Sequence, residues 1–147
     1  MVAPKIKMKA ILHKEFGGPE VLGVSNDVEI PQIEKHEVLI QVHAAGINRP
    51  DILQRSGGYP PPPGASEILG LEVSGEIVDV GEDVNKNLLN TKVCALVPGG
   101  GYAEFVKCHT STILPIPKGI SIIDACTIPE TFFTAVSYTH LRAHETA

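Results

Sequence analysis

The chain has 147 residues, 43% of them hydrophobic and 20% charged, with a mean hydropathy of +0.10; that is enough apolar material for one folded core and too much for a disordered tail. A net charge of −5 and a pI of about 5.6 count against a nucleic-acid binder, which needs a basic face. Three widely spaced cysteines, Cys94, Cys108 and Cys126, with no C-x-x-C pair, exclude a disulfide framework and point to a reducing, cytoplasmic compartment.

The opening MVAPKIKMKAILHKE never builds the apolar run of a signal peptide, and no stretch of about 18 apolar residues offers a membrane span. Within it Ile6, Met8, Ala10 and Leu12 sit two apart, with Lys5, Lys7 and Lys9 between them, which predicts a strand with one wet face. Gly17-Gly18-Pro19 then breaks the chain. Glu37 to His43 alternates again, with Val38, Ile40 and Val42 on one side. Asn48 precedes Arg49-Pro50-Asp51 and Ile52 to Arg55, which supplies an N-cap, an early proline and an acid in the first turn of a helix. The proline-rich run Gly57 to Gly64 is stiff and extended and holds Tyr59 at a fixed place on a loop.

Leu69 to Val80 reads as a long strand, with Gly75 marking a bend or bulge. Lys92 to Val97 and Tyr102 to Cys108 read as two more strands, joined by Pro98-Gly99-Gly100-Gly101 as a hairpin. Ser121 and Asp124 look like the start of a second helix running through Ile128, with Pro129 limiting its length. Gly and Pro together make 26 of the 147 residues, about 18% against an average near 12%, as many turns between short strands require. The expected fold is mainly β with a few helices, a curled antiparallel sheet or partly open barrel.

No pair of histidines or cysteines has ligand spacing. Cys108 and His109 are neighbours on a strand, so they point to opposite faces, a buried thiol beside an exposed imidazole. No G-x-G-x-x-G fingerprint is present for a dinucleotide. The best polar cluster is Asn48, Arg49, Asp51, Tyr59 and Glu72, which fall at a strand end, a helix start, a rigid loop and a strand start. Such convergent groups describe a ligand site. The same residues also read as helix caps plus a solvated strand glutamate, and residue types alone leave both readings open.

The segment GINRPDILQRSGGYPPPPGASEILGLEVSGEIVDVG, with the flanking MKAILHKEFGGPEVL, VPGGGYAEFVKC and IDACTIPETFFT, resembles zinc-independent quinone oxidoreductases of the medium-chain dehydrogenase/reductase superfamily, of the p53-inducible type. The combination N-R-x-D, G-x-Y-P-x-P-P-G and L-G-x-E-x-S-G carries the likeness. It implies that residues 1–134 form a GroES-like β-barrel, the N-terminal catalytic domain of such enzymes, which a Rossmann nucleotide-binding domain follows in complete members. It implies hydride transfer from NADPH to a quinone or conjugated carbonyl, and a homo-oligomeric full-length form.

By the same resemblance Asn48, Asp51 and Tyr59 line the nicotinamide and substrate cleft, Tyr59 is the catalytic hydrogen-bond donor, and Thr134 contacts the nicotinamide end. Zinc-dependent relatives carry a cysteine at the position of Asn48 and a histidine at that of Leu71, so no catalytic zinc is expected. The resemblance leaves Glu72 without a role. It lapses near Ala135, and residues 135–147 look like an appended, artefactual tail, which removes interest from the i, i+4 pair His140 and His144. An enoyl reductase fragment and a non-catalytic GroES-like binding module are the alternatives.

Overall fold

The computed structural model describes residues 7–136. The anticipated tail therefore lies outside the described residues from position 137 on, with His140 and His144. The alternation near the start forms β1 (Lys7–His13), with Met8 and Ala10 turned into the core and the lysines outward. It pairs antiparallel with β2 (Leu22–Glu29), a strand that the sequence did not suggest. β2 is the outer member of a two-stranded sheet and has no buried residue, so LGVSNDVE never needed a clean alternation.

The second sheet holds β3 (Glu37–Ala45), β4 (Glu72–Val80), β5 (Lys92–Leu96), β6 (Phe105–His109) and β7 (Ile113–Pro115), in the order β6-β3-β4-β5-β7 and all antiparallel. Its inner face supplies the core, chiefly Val38 and Ile40, Val73 and Ile77, Val93 and Ala95, and Val106 and Cys108. Each such aliphatic side chain contributes roughly 1.5–3 kcal/mol on burial. The two sheets meet through a bridge between Ala10 and Ala103 and the hydrogen bond from Ile11 N–H to the Tyr102 carbonyl (2.8 Å). The result is the mainly β, partly open barrel expected. Cys108 is buried and His109 exposed, as their adjacent strand positions require.

Three expectations need correction. Gly99 to Gly101 is no hairpin, because β3 and β4 stand between β5 and β6. The segment is a crossover, and the N–H groups of Gly100, Gly101 and Tyr102 donate to the carbonyls of Ile68, Gly70 and Leu69. Those carbonyls hold Leu69 to Leu71 as a loop, so β4 starts at Glu72. The second helix is also divided: Ser121 Oγ accepts from Asp124 N–H (3.0 Å), but Asp124–Thr127 is a 3₁₀ turn. Pro129 then opens α2 (Pro129–Val136) where a helix was expected to stop, because a first-turn position needs no N–H.

The bend expected at Gly75 is a shift in the β3–β4 register beside it, between Val42 and Ala44. A Cβ on Gly75 would lie 2.0 Å from the Gln41 carbonyl oxygen, so only glycine lets the two strands approach here. The first helix, α1 (Arg49–Arg55), follows directly from β3.

Candidate functional site

The polar centre of the molecule is built where β3, α1, β4 and α2 begin or end. Asp51, in the first turn of α1, is only 3% exposed. Its Oδ2 accepts from the backbone N–H of Asn48 (2.9 Å), and its Oδ1 accepts from the N–H of Gly70 (3.0 Å). The Tyr102 hydroxyl lies 3.0 Å from Asp51 Oδ2 and 3.2 Å from the Gly46 carbonyl. One carboxylate thus joins a helix start, the loop before β4 and the crossover loop.

Glu72, the first residue of β4, is 2% exposed, which overturns its reading as a solvated strand residue. Its Oε1 accepts from Asn48 Nδ2 (2.9 Å), and its Oε2 accepts from Glu130 N–H (2.9 Å) in the first turn of α2. Gly46 permits this placement, since a Cβ there would sit 2.0 Å from Glu72 Oε1. No ion pair of the described residues reaches either carboxylate. Oriented N–H and O–H donors stabilise the two charges instead.

The field of this pair is felt around it. Burial pushes the Tyr102 phenol up, and Asp51 and Glu72 add to the shift. Partial burial, then Glu72 and Asp51, hold the Glu130 carboxyl above its usual range. The thiols of Cys94 and Cys126 are raised by burial, with Glu72 contributing to both. These are neutral, inert thiols rather than nucleophiles. Among the described residues no three His, Cys, Asp or Glu side chains converge as a metal site.

Above the Glu72 bridge lies a shallow hollow of about 560 Å³ between the starts of α1 and α2, lined by Asn48, Arg49, Pro50, Glu130, Thr131, Thr134 and Ala135. It offers amide, hydroxyl, guanidinium and carboxyl groups, a set suited to hydrogen-bonding a polar ligand. Asn48 and Thr134 therefore line one hollow. Asp51 lies beneath them, fully engaged with protein donors.

Tyr59 is placed elsewhere. It is 43% exposed and lines a separate groove of about 700 Å³ near the C-terminal end of α1, with His13, Phe16, Gln54 and Pro60 among its neighbours. Arg55 ties that end to the β1–β2 connection, its Nε donating to the Gly17 carbonyl (3.2 Å). The hollow and the groove share no lining residue. Sequence reasoning missed Tyr102, Gly70 and Glu130, whose parts in the site are set by contacts more than 15 residues away in the chain. The one local signal was Pro129, which marks a helix start and so a set of free N–H groups at Glu130.

Residues 34–118 match the alcohol dehydrogenase GroES-like domain. The match covers more than half of the chain, and the chain belongs to this family. Among curated proteins it is similar to the quinone oxidoreductase of Mus musculus, 39% identical over 129 residues, which is 87% of this chain and 39% of that protein. Among solved structures, the human synaptic vesicle membrane protein VAT-1 homolog-like protein matches with a TM-score of 0.85 at 28% identity, over 95% of this chain and 44% of that one. The CurK enoyl reductase matches with a TM-score of 0.77 at 26% identity, over 90% and 42%. The chain spans about two fifths of the length of the curated relatives it matches.

Proposed function

We propose that this chain is the GroES-like catalytic part of an NADPH-dependent quinone oxidoreductase, acting without zinc on quinones or conjugated carbonyls. The observation that carries this reading is the hollow that holds Asn48 and Thr134 over the Asn48–Glu72 bond. NADPH, when bound, supplies a hydride. Asn48 and Thr134 would hold its carboxamide end by hydrogen bonds at the hollow and so orient it. Tyr59 stands on the separate groove at the other end of α1, so its hydroxyl serves an acceptor that extends from the hollow to that groove, and Asp51 keeps the start of α1 in place.

A zinc ion fits this donor set poorly. The Asn48 amide nitrogen has no free lone pair and already donates to Glu72, and Leu71 offers an alkyl group where a ligand would be needed. A quinone or enone is electron-poor enough to take hydride with positioning and hydrogen bonds alone. The three cysteines are free and buried, which supports the cytoplasmic reading.

The test joins residues 1–134 to the nucleotide-binding part of the mouse quinone oxidoreductase and measures NADPH oxidation with an ortho-quinone. Turnover that a strong chelator leaves unchanged is expected, and the 147-residue chain by itself should show none. Stoichiometric, chelator-sensitive zinc or an inactive fusion would overturn the reading. The likeness to an enoyl reductase structure favours a second reading, with a conjugated thioester as acceptor. A higher kcat/KM for that thioester than for the quinone would select it.

A further inference from the structure

We infer that Glu72 is a positioning residue that sets the gap between the two helix starts on either side of the hollow. The inference rests on the functional reading above. Each wall of the hollow is attached to a different oxygen of this one buried carboxylate: Asn48 to Oε1 through its side-chain amide, and the first turn of α2 to Oε2 through the Glu130 N–H, both at 2.9 Å. The two walls come from residues 24 and 58 positions away in the chain. Gly46 leaves the space that the carboxylate fills, since a Cβ there would collide with Glu72 Oε1. Glu72 has no part in the hollow's lining, so it acts through Asn48 and α2 and not by touching a ligand.

An ionised carboxylate is the group that fits. Both neighbours are donors, and only a side chain with two acceptor oxygens satisfies both at once. Glutamine has the same shape but one oxygen, and the Asn48 side-chain oxygen is held by the Asp51 N–H in the capping box of α1, so the glutamine NH₂ must face either Asn48 Nδ2–H or Glu130 N–H. One wall is then released. The pair Glu72→Gln with Asn48→Asp repairs the pattern: the glutamine NH₂ donates to the new aspartate, and its oxygen still accepts from Glu130 N–H. The released wall carries Asn48 or Thr134, so the expected loss is in ligand orientation rather than in overall affinity.

The experiment has two arms. In the 147-residue chain, hydrogen exchange at the Glu130 backbone N–H and at the Asn48 side-chain NH₂ is compared between wild type and Glu72→Gln by NMR; at least one of the two groups should exchange faster by about tenfold or more. In the fusion described above, NADPH affinity is read by its fluorescence, and kcat is measured with NADPH and with its 4-deuterated form. Glu72→Gln should lower kcat by about ten- to a hundredfold and raise the deuterium isotope effect, while NADPH affinity stays within about threefold. The Glu72→Gln, Asn48→Asp pair should return the Glu130 N–H to wild-type exchange, which is the readout for the pair because Asn48 itself lines the hollow. A purely structural role would lower the active fraction and leave the isotope effect where it was. Wild-type kcat in a folded Glu72→Gln, or faster-than-wild-type exchange at Glu130 in a folded pair, would overturn the inference and leave the functional reading standing. If Glu72→Gln does not fold, Glu72→Asp keeps the charge but is one methylene too short to reach both walls; unchanged kcat and isotope effect there would also overturn the inference. A wild-type fusion that binds no NADPH overturns the functional reading, and this inference with it.

Discussion

The two ends of α1 are built on opposite principles. At its N-terminal end two carboxylates, Asp51 and Glu72, are almost wholly buried and held by five donors from four different parts of the chain. At its C-terminal end Tyr59 and Phe16 stand 43% and 68% exposed around an open groove, and the His13 and Phe16 rings lie 6.1 Å apart. The first region is costly to disturb because a buried charge must keep its donors, and the donors must keep the charge. The second can change its side chains with little effect on folding, so any effect of mutation there reports on ligands.

The largest expected break in this comparison is Asp51→Ala. It strands the N–H groups of Asn48 and Gly70, leaves the Tyr102 hydroxyl with the Gly46 carbonyl, and should destabilise the chain by about 2–4 kcal/mol. Denaturant unfolding measures it, and a loss below about 1 kcal/mol would show that the frame does not depend on this carboxylate.

The interior's intolerance of charge gives the next effect. Burial pushes the Cys108 thiol from an ordinary 9.0 up to about 11. Below pH 9 the thiol is neutral in both states and costs nothing. Between pH 9 and 11 the unfolded chain releases the proton first, so stability falls as pH rises, by up to about 2.7 kcal/mol from this group. Cys94, Cys126 and Tyr102, also raised, act in the same direction. Cys108→Ala should flatten the alkaline limb of a stability–pH profile, and an identical slope would refute the assignment.

The smallest effect on folding is expected at Tyr59. Tyr59→Phe should leave the melting temperature of the chain nearly unchanged, within about 0.5 kcal/mol, as a surface substitution does. In the active fusion it should lower kcat/KM by about ten- to a hundredfold, or 1.4–2.7 kcal/mol of transition-state stabilisation. A full rate in a stable Phe variant would remove the hydroxyl from the chemistry and leave Tyr59 as a packing residue on Pro60.

Much of this was legible along the chain. Alternation at Met8 and Ala10, at Val38 and Ile40, and in the run ending at Val80 marked strands, because a half-buried strand writes its two faces into successive residues. Asn48-Arg49-Pro50-Asp51 marked the start of α1, because caps act within one turn. β2 escaped, since a strand with no buried residue is under no such pressure. Asp51 and Glu72 could each be named as candidates, but a carboxylate on a cap and a carboxylate on a strand look the same whether they face water or a neighbour. Only the packing of β4 against the starts of α1 and α2 buried both and gave Glu72 two donors from distant parts of the chain. The same packing put Tyr59 at the far end of α1 from Asn48, a separation that residue spacing cannot express because it depends on which way a seven-residue helix runs between them.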